Sequence, residues 1–212
     1  DLVLHYGTSA SEAASTAAEA ESRGARVVTV AADLSDPGAA AGLIGAAGDL
    51  GPVRVLVNGA AAFPSDDLAG LTVGQWDWTM AVNLRAPVLL TRAFAAALPE
   101  EMEGAVVNLS DWRTARPYRD HLSYTVAKGG LETFTRAAAE ALAPRIRVNA
   151  LALGAILPPA DRDYGYLKDL AREIPAGRPG GTDPVVAAVL FLLRNPFITG
   201  EILRVNGGAH LR

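Results

Sequence analysis

Ala105-Val106-Val107-Asn108-Leu109-Ser110 is a short, continuously apolar run, and Arg147-Val148-Asn149-Ala150-Leu151-Ala152-Leu153 is a second one. Between them, residues 122–143 carry helical spacing. Strands apolar on both faces, joined by a helix, belong to a parallel sheet with helices on both sides. The same alternation continues outward. Residues 2–6, 26–31, 53–58 and 201–206 read as further strands, and 11–23, 39–50, 72–98 and 184–193 as helices. Together they predict an α/β, doubly wound, mostly parallel Rossmann-like sheet within a single domain over residues 1–212. Thr72 with Gln75 forms a capping-box signature, and Thr182-Asp183-Pro184 places a cap residue before a first-turn proline. One irregular stretch, 154–181, is rich in Gly and Pro and too long for an ordinary connection, which marks it as a functional loop. It contains a short helical candidate at 167–173.

Composition narrows the function classes. Half of the residues are hydrophobic and 20% are charged, enough apolar content to bury a core. Lys plus Arg number 19 against 23 Asp plus Glu, a net charge of −4, which argues against a nucleic-acid partner. With no cysteine, disulfides, thiol catalysis and zinc–thiolate sites are excluded. No apolar run reaches the ~18 residues of a membrane span, and Asp1-Leu2-Val3-Leu4 has no basic character of a secretory signal. A cytoplasmic protein acting on a small molecule is the expectation.

Two Tyr-x-x-x-Lys pairs are present, Tyr124/Lys128 and Tyr164/Lys168, although the chain has five tyrosines and only two lysines. Four residues apart on a helix, such a pair shares a face, and the ammonium can stabilise tyrosinate and lower the phenol's pKa. That makes tyrosine a usable acid or base. Tyr124 opens the helix after the strand at 105–110, and strand C-termini are where ligands sit in open α/β sheets. Tyr164 lies in the Gly/Pro-rich stretch beside Gly165 and reads as a surface aromatic with a solvated lysine.

In order and spacing, these and other motifs resemble the short-chain dehydrogenases/reductases over residues 1–212. The resemblance rests on Asn58-Gly59-Ala60-Ala61, Asn83 within Val82-Asn83-Leu84-Arg85-Ala86-Pro87, Tyr124-Thr125-Val126-Ala127-Lys128, Arg147-Val148-Asn149-Ala150, Ile198-Thr199-Gly200 and Val205-Asn206-Gly207-Gly208. A narrower likeness concerns the position thirteen residues before the tyrosine, where the family usually has Ser and this chain has Asp111, with Ser110 one earlier. Asp there is similar to pteridine and dihydromonapterin reductases. So are Phe63, matching the pterin-stacking aromatic, and the ending Gly207-Gly208-Ala209-His210-Leu211-Arg212.

The resemblance implies roles. Tyr124 would donate a proton as hydride reaches the substrate. Lys128 would hold the cofactor ribose and depress the phenol's pKa, and Asn83 would fix a water that relays protons to Lys128. Asp111 would share a proton with Tyr124 or orient a ring nitrogen; alternatively Ser110 is the catalytic hydroxyl, which suits a carbonyl oxygen better than a C=N nitrogen. Phe63 and Trp112 would sandwich a flat heterocycle, or simply pack beneath the site. For the cofactor, Asp33-Leu34 matches the adenine-contacting pair, Asn58, Gly59 and Ala60 would pass beneath the adenine ribose, and Gly154 and Ile156 would meet the nicotinamide. Leu153-Gly154 stands where the family usually has Pro-Gly. Tyr6-Gly7-Thr8-Ser9 has no acid to read a free ribose hydroxyl, so Thr8 and Ser9 favour NADP(H), with NAD(H) the second choice. The favoured activity is an NADPH-dependent reductase of a pteridine-like substrate. A carbonyl reductase or alcohol dehydrogenase is the enzymatic alternative, and a non-catalytic binding protein the third. The helices at 72–98 and 122–143 would pair copies into a homo-oligomer, a dimer or tetramer.

One departure concerns the family's first strand and its Thr-Gly-x-x-x-Gly-x-Gly loop. If residues 2–6 were the first strand, Gly7-Thr8-Ser9 would be a degenerate phosphate loop with one glycine, and the domain would be a strand–helix unit short before Asn58. Taken as the second strand, they bring Asp33-Leu34 and Asn58 to the ends of strands three and four. The expectation is therefore a sheet that lacks its central strand, with a gap of roughly 9–10 Å, and a working protein with some 20–30 further residues (about one strand, loop and helix).

Overall fold

The computed structural model describes residues 1–159 and 162–211, apart from the side chains of residues 40 and 41. Residues 160 and 161 of the expected loop and Arg212 of the C-terminal motif lie outside the described residues. In chain order the main elements are β1 (Leu2–Tyr6), α1 (Ala10–Ser22), β2 (Val27–Ala31), α2 (Ala39–Gly45), β3 (Val55–Asn58), α3 (Val73–Met80) and α4 (Ala86–Ala97). They continue with β4 (Gly104–Asp111), α5 (Leu122–Leu142), β5 (Ile146–Leu153), α6 (Tyr164–Arg172), α7 (Asp183–Arg194) and β6 (Ile202–Val205). Every strand pairing is parallel. The doubly wound α/β architecture expected from the alternation is the one observed.

The sheet is broken where the gap was expected. β1 pairs only with β2, while β3, β4, β5 and β6 form a separate sheet in that order. Between β1 and β3 lies a cavity of about 860 Å³, lined by Leu2, Val3, Leu4, His5 and residues 53–60. Val55 and Val57 are 43% and 45% exposed on this side, unusual for valines of a parallel sheet. The two sheets share one core all the same. Leu34, Leu43 and Ile44 pack with Leu90, Phe94, Val106, Ile146 and Val148.

The expected helix at 72–98 is interrupted by a π-helical turn, Ala81–Arg85. Pro87 explains it: proline has no N–H for the Asn83 carbonyl four residues back, and its ring crowds that carbonyl, so the turn widens. The helix begins as expected, with Thr72 Oγ1 accepting from Gln75 N at 3.2 Å. Thr182, by contrast, makes no side-chain cap bond at the start of α7. The helix expected over 39–50 stops at Gly45, and a 3₁₀ turn follows at Gly48–Leu50, where Gly48 has φ +44°. The candidate at 167–173 starts earlier, because Asp163 caps α6 through Tyr166 N at 3.0 Å.

Candidate active site

Asp111 ends β4 with an extended backbone, at the C-terminal edge of the four-stranded sheet. Its Oδ1 accepts from Arg113 N at 2.9 Å, which caps the 3₁₀ turn Trp112–Thr114. Its Oδ2 accepts from the Tyr124 hydroxyl at 3.0 Å. One turn along α5, Lys128 Nζ donates to Leu109 O at 2.7 Å. The i, i+4 spacing read from the sequence thus presses phenol and ammonium against the end of a single strand.

Ser110 points elsewhere, as alternation along a strand requires. Its Oγ donates to Glu132 Oε1 at 2.9 Å. Asn83 is fully buried, with Nδ2 donating to Ala62 O at 2.9 Å and Thr79 O at 3.0 Å, and Oδ1 accepting from Ala62 N at 3.1 Å. Both amide hydrogens are therefore spent on protein carbonyls. The side chain clamps the turn that carries Phe63.

The start of α5 is stapled to this same segment. His121 precedes the helix at φ +52° and donates from Nδ1 to Pro64 O at 2.7 Å. Buried Asp66 accepts from Ser123 N at 3.1 Å and from the Ser123 hydroxyl, a cap brought from a distant loop. Phe63 stacks on His121, with ring centroids 3.8 Å apart, and meets Tyr124 edge-on at 4.7 Å. Arg113 is buried, 5.6 Å from the Phe63 ring and 5.2 Å from that of Tyr118, and pairs with Asp120 at 3.0 Å. Trp112 follows the packing alternative. Its ring contacts Tyr118, and it packs with Leu167, Ala171 and Ile174 beneath α6.

Burial sets the electrostatics. Desolvation first, then the adjacent Asp111 charge, pushes the Tyr124 phenol well above its ordinary range. The direction is opposite to the depression by Lys128 that the resemblance implies. Desolvation also raises Asp111, against the opposing pull of its Arg113 and Tyr124 hydrogen bonds and the nearby positive charges of Arg113 and Lys128. Lys128 is brought down to about 8 by burial, with Asp111 opposing. The protonated phenol is a donor throughout the physiological range, which suits reduction.

Of the expected cofactor residues, Leu34, Asn58, Gly59 and Ala60 line the 860 Å³ cavity, whereas Thr8, Ser9, Asp33, Gly154 and Ile156 are not part of its lining. Asn58 Nδ2 donates to Asn108 Oδ1 at 2.8 Å, and Asn108 Nδ2 to Thr135 Oγ1 at 2.9 Å, a buried chain that anchors β3 to β4 and α5. A Cβ on Gly59 would come within 3.3 Å of Leu109, the residue whose carbonyl holds Lys128. Thr8 and Ser9 are exposed between β1 and α1, and Ser9 makes no side-chain cap bond. Asp33 accepts from Ser35 N at 2.8 Å, which holds its carboxyl below the usual range. A Cβ at Gly154 would lie 2.6 Å from the Asn206 backbone, so the turn after β5 admits only glycine. Ile156 lines a separate cavity of about 230 Å³ beside β6. Tyr164 and Lys168 sit on α6, with Tyr164 52% exposed, and the Lys168 ammonium lies 5.5 Å from the Tyr164 ring.

Asp66, Arg113, His121 and Glu132 belong to this constellation but were not legible beforehand. Arg113 and His121 lie two residues after Asp111 and three before Tyr124, and Glu132 is one turn beyond Lys128. Asp66 left no local signal.

A family model described as enoyl-(acyl carrier protein) reductase matches residues 1–210. L-xylulose reductase of Bos taurus is 34% identical over 190 residues, covering 86% of this chain and 77% of its own. The 3-oxoacyl-[acyl-carrier-protein] reductase of Homo sapiens is 33% identical over 163 residues, covering 76% and 68%. Among solved structures, FolM alternative dihydrofolate reductase 1 from Brucella canis, complexed with NADP, is 35% identical with a TM-score of 0.91, covering 99% of this chain and 84% of that one. With its parallel sheet and its Tyr-x-x-x-Lys helix against the strand end, the chain belongs to the short-chain dehydrogenase/reductase family of oxidoreductases.

Proposed function

We propose that the protein is an NADPH-dependent reductase that delivers hydride to a C=N bond of a pteridine-like heterocycle, with Tyr124 as the proton donor. The observation that carries this reading is the hydrogen bond from Tyr124 to Asp111 at 3.0 Å, with Ser110 turned away onto Glu132. The 0.91 TM-score match to a dihydrofolate reductase complexed with NADP supports both the cofactor and the substrate class.

The chain's residues fit such a cofactor. Lys128 is 3% exposed, and one protein acceptor is found for it among the described residues, which leaves two ammonium hydrogens for ribose hydroxyls. Thr8 and Ser9 stand at the end of β1, where Tyr6-Gly7-Thr8-Ser9 contains no acidic residue to repel a 2′-phosphate. When bound, NADPH would supply the hydride for the imine carbon. Tyr124 supplies the proton to the imine nitrogen, so that C=N becomes CH–NH. Burial raises the Asp111 carboxyl above its ordinary range, which suits it to pass a proton back to the phenolate. Phe63, partly exposed beside Tyr124 with His121 stacked on its ring, is the aromatic against which the heterocycle would lie. We further propose a homo-oligomer formed through α3–α4 and α5, where Trp78 and Val126 stand 45% and 43% exposed.

The test is NADPH consumption by the full-length protein, with 7,8-dihydrobiopterin and a simple β-ketoester offered in parallel. Turnover of the pterin is expected. Turnover of the ketoester alone would overturn the pteridine reading and leave a carbonyl reductase, the activity named for the xylulose and 3-oxoacyl relatives.

A further inference from the structure

Tyr124, Lys128 and Glu132 are spaced four apart and form one stripe along α5. Each meets the end of β4 at a different point: Tyr124 at the Asp111 carboxylate, Lys128 at the Leu109 carbonyl, Glu132 at the Ser110 hydroxyl. Glu132 does more than Ser110 requires. Its Oε1 also lies 2.7 Å from Thr114 Oγ1, whose single hydrogen is shared with Asp111 O at 2.9 Å. One carboxylate oxygen therefore gathers the hydroxyls of the residue before Asp111 and of the residue three after it. Glu132 is only partly exposed, and a carboxylate there would otherwise be free to face water.

We infer that Glu132 is a positioning residue, which pins the turn on either side of Asp111 to the helix that carries Tyr124 and so sets the Asp111–Tyr124 hydrogen bond. This rests on the reading of that pair as the proton-transfer couple. The strand end alone does not fix the bond: the 3₁₀ turn after Asp111 is three residues long and is tied to α5 from beneath by Glu132. A carboxylate oxygen with two hydroxyl donors is a strong anchor because its acceptor is charged. Substituting Glu132 frees the turn without removing any group that touches substrate.

The experiment compares Glu132→Ala with Glu132→Gln. In E132A, kcat for the better substrate falls about 10- to 100-fold, the scale of a misplacement near 1 Å, while KM for NADPH stays unchanged. E132Q retains an acceptor oxygen and recovers most of the rate. Adding E132A to a Ser110→Ala/Thr114→Val background has little further effect, because the partners are already gone. A second readout needs no turnover. With tyrosine labelled at 13Cζ and the Tyr124 resonance assigned by Tyr124→Phe, E132A moves that resonance in the cofactor-free protein and E132Q does not. An E132A protein with altered melting temperature but unchanged Tyr124 resonance and unchanged pH profile overturns the inference. Should E132A not fold, the Ser110→Ala/Thr114→Val protein carries the same expectations. If neither the pterin nor the ketoester is reduced, the proposed function fails, and the resonance still decides the role of Glu132.

Discussion

The Asp111 carboxylate and the Tyr124 phenol are joined by a hydrogen bond of 3.0 Å, although they lie on different elements and are separated by a turn that contains buried Arg113. The bond places the acidic partner of the phenol at the strand end. Ser110, its immediate neighbour, is committed to Glu132, about two turns further along the same stripe of α5. Asp111→Ala is therefore expected to lower kcat by about 10²–10⁴, the usual range for a group engaged in proton transfer. Ser110→Ala should cost far less, on the order of tenfold, since it loosens the turn and leaves the proton path. Steady-state rates of the two variants on the same substrate check this. A larger loss in Ser110→Ala would return the catalytic role to the hydroxyl.

Lys128 carries a stability cost. Burial brings its pKa from the ordinary 10.5 down to about 8, so the folded state binds its proton less tightly than the unfolded chain does. Below about pH 8 both states are charged and the burial penalty is felt in full. Between about 8 and 10.5 the folded state sheds its proton first and the penalty fades. Lys128→Met should thus raise stability at pH 7 by on the order of 1–3 kcal/mol, with the gain vanishing near pH 10.5, while NADPH affinity falls. Urea denaturation at pH 7 and pH 10 measures the first effect, and NADPH fluorescence titration the second.

Arg113 works on the charge of Asp111. Its backbone N–H and guanidinium both hold that carboxyl down against the stronger upward push of burial. Arg113→Met removes the guanidinium and keeps the backbone bond, so the Asp111 pKa rises further. The pH profile of kcat/KM is expected to shift its Asp111 limb to higher pH, with Arg113→Lys intermediate. An unshifted limb would separate Arg113 from the proton chemistry.

Asp66 caps a helix that it does not belong to. Asp66→Ala removes the acceptor for Ser123 N and the Ser123 hydroxyl, and the start of α5 loses its staple to the Phe63 segment. The expected loss is about 1–2 kcal/mol of stability, within the range for cap removal in a folded protein. Tyr124 sits in that first helical turn, so kcat should fall with it. Denaturant midpoints and rates of Asp66→Ala and Asp66→Asn test whether the two losses move together.

Several of the differences between the reading of the sequence and the structure have identifiable causes. The helix at 72–98 looked continuous because its apolar spacing is unbroken; Pro87 opens a π-helical turn at Ala81–Arg85 through a missing N–H, an effect on the backbone. The clamp that Asn83 makes was not legible, because Ala62, distant in sequence, offers both a donor and an acceptor to the same amide. Of the two readings open for Trp112, the structure shows packing beneath α6 against Leu167, Ala171 and Ile174, contacts that no local signal announces.

The break in the sheet was expected from the family resemblance, whereas local chemistry by itself determined the alternation of strands and helices and the Tyr124/Lys128 stripe. These follow from periodicity and short-range spacing, which act within one element or between neighbours. Only the tertiary structure decided that Asp111 and not Ser110 faces the phenol, that burial drives Tyr124 up and Lys128 down, and that Asp66, Arg113, His121 and Glu132 surround the pair. Those outcomes depend on which face of β4 meets which stripe of α5, and on how much water remains between them. Desolvation and long-range hydrogen bonds are properties of the packed assembly.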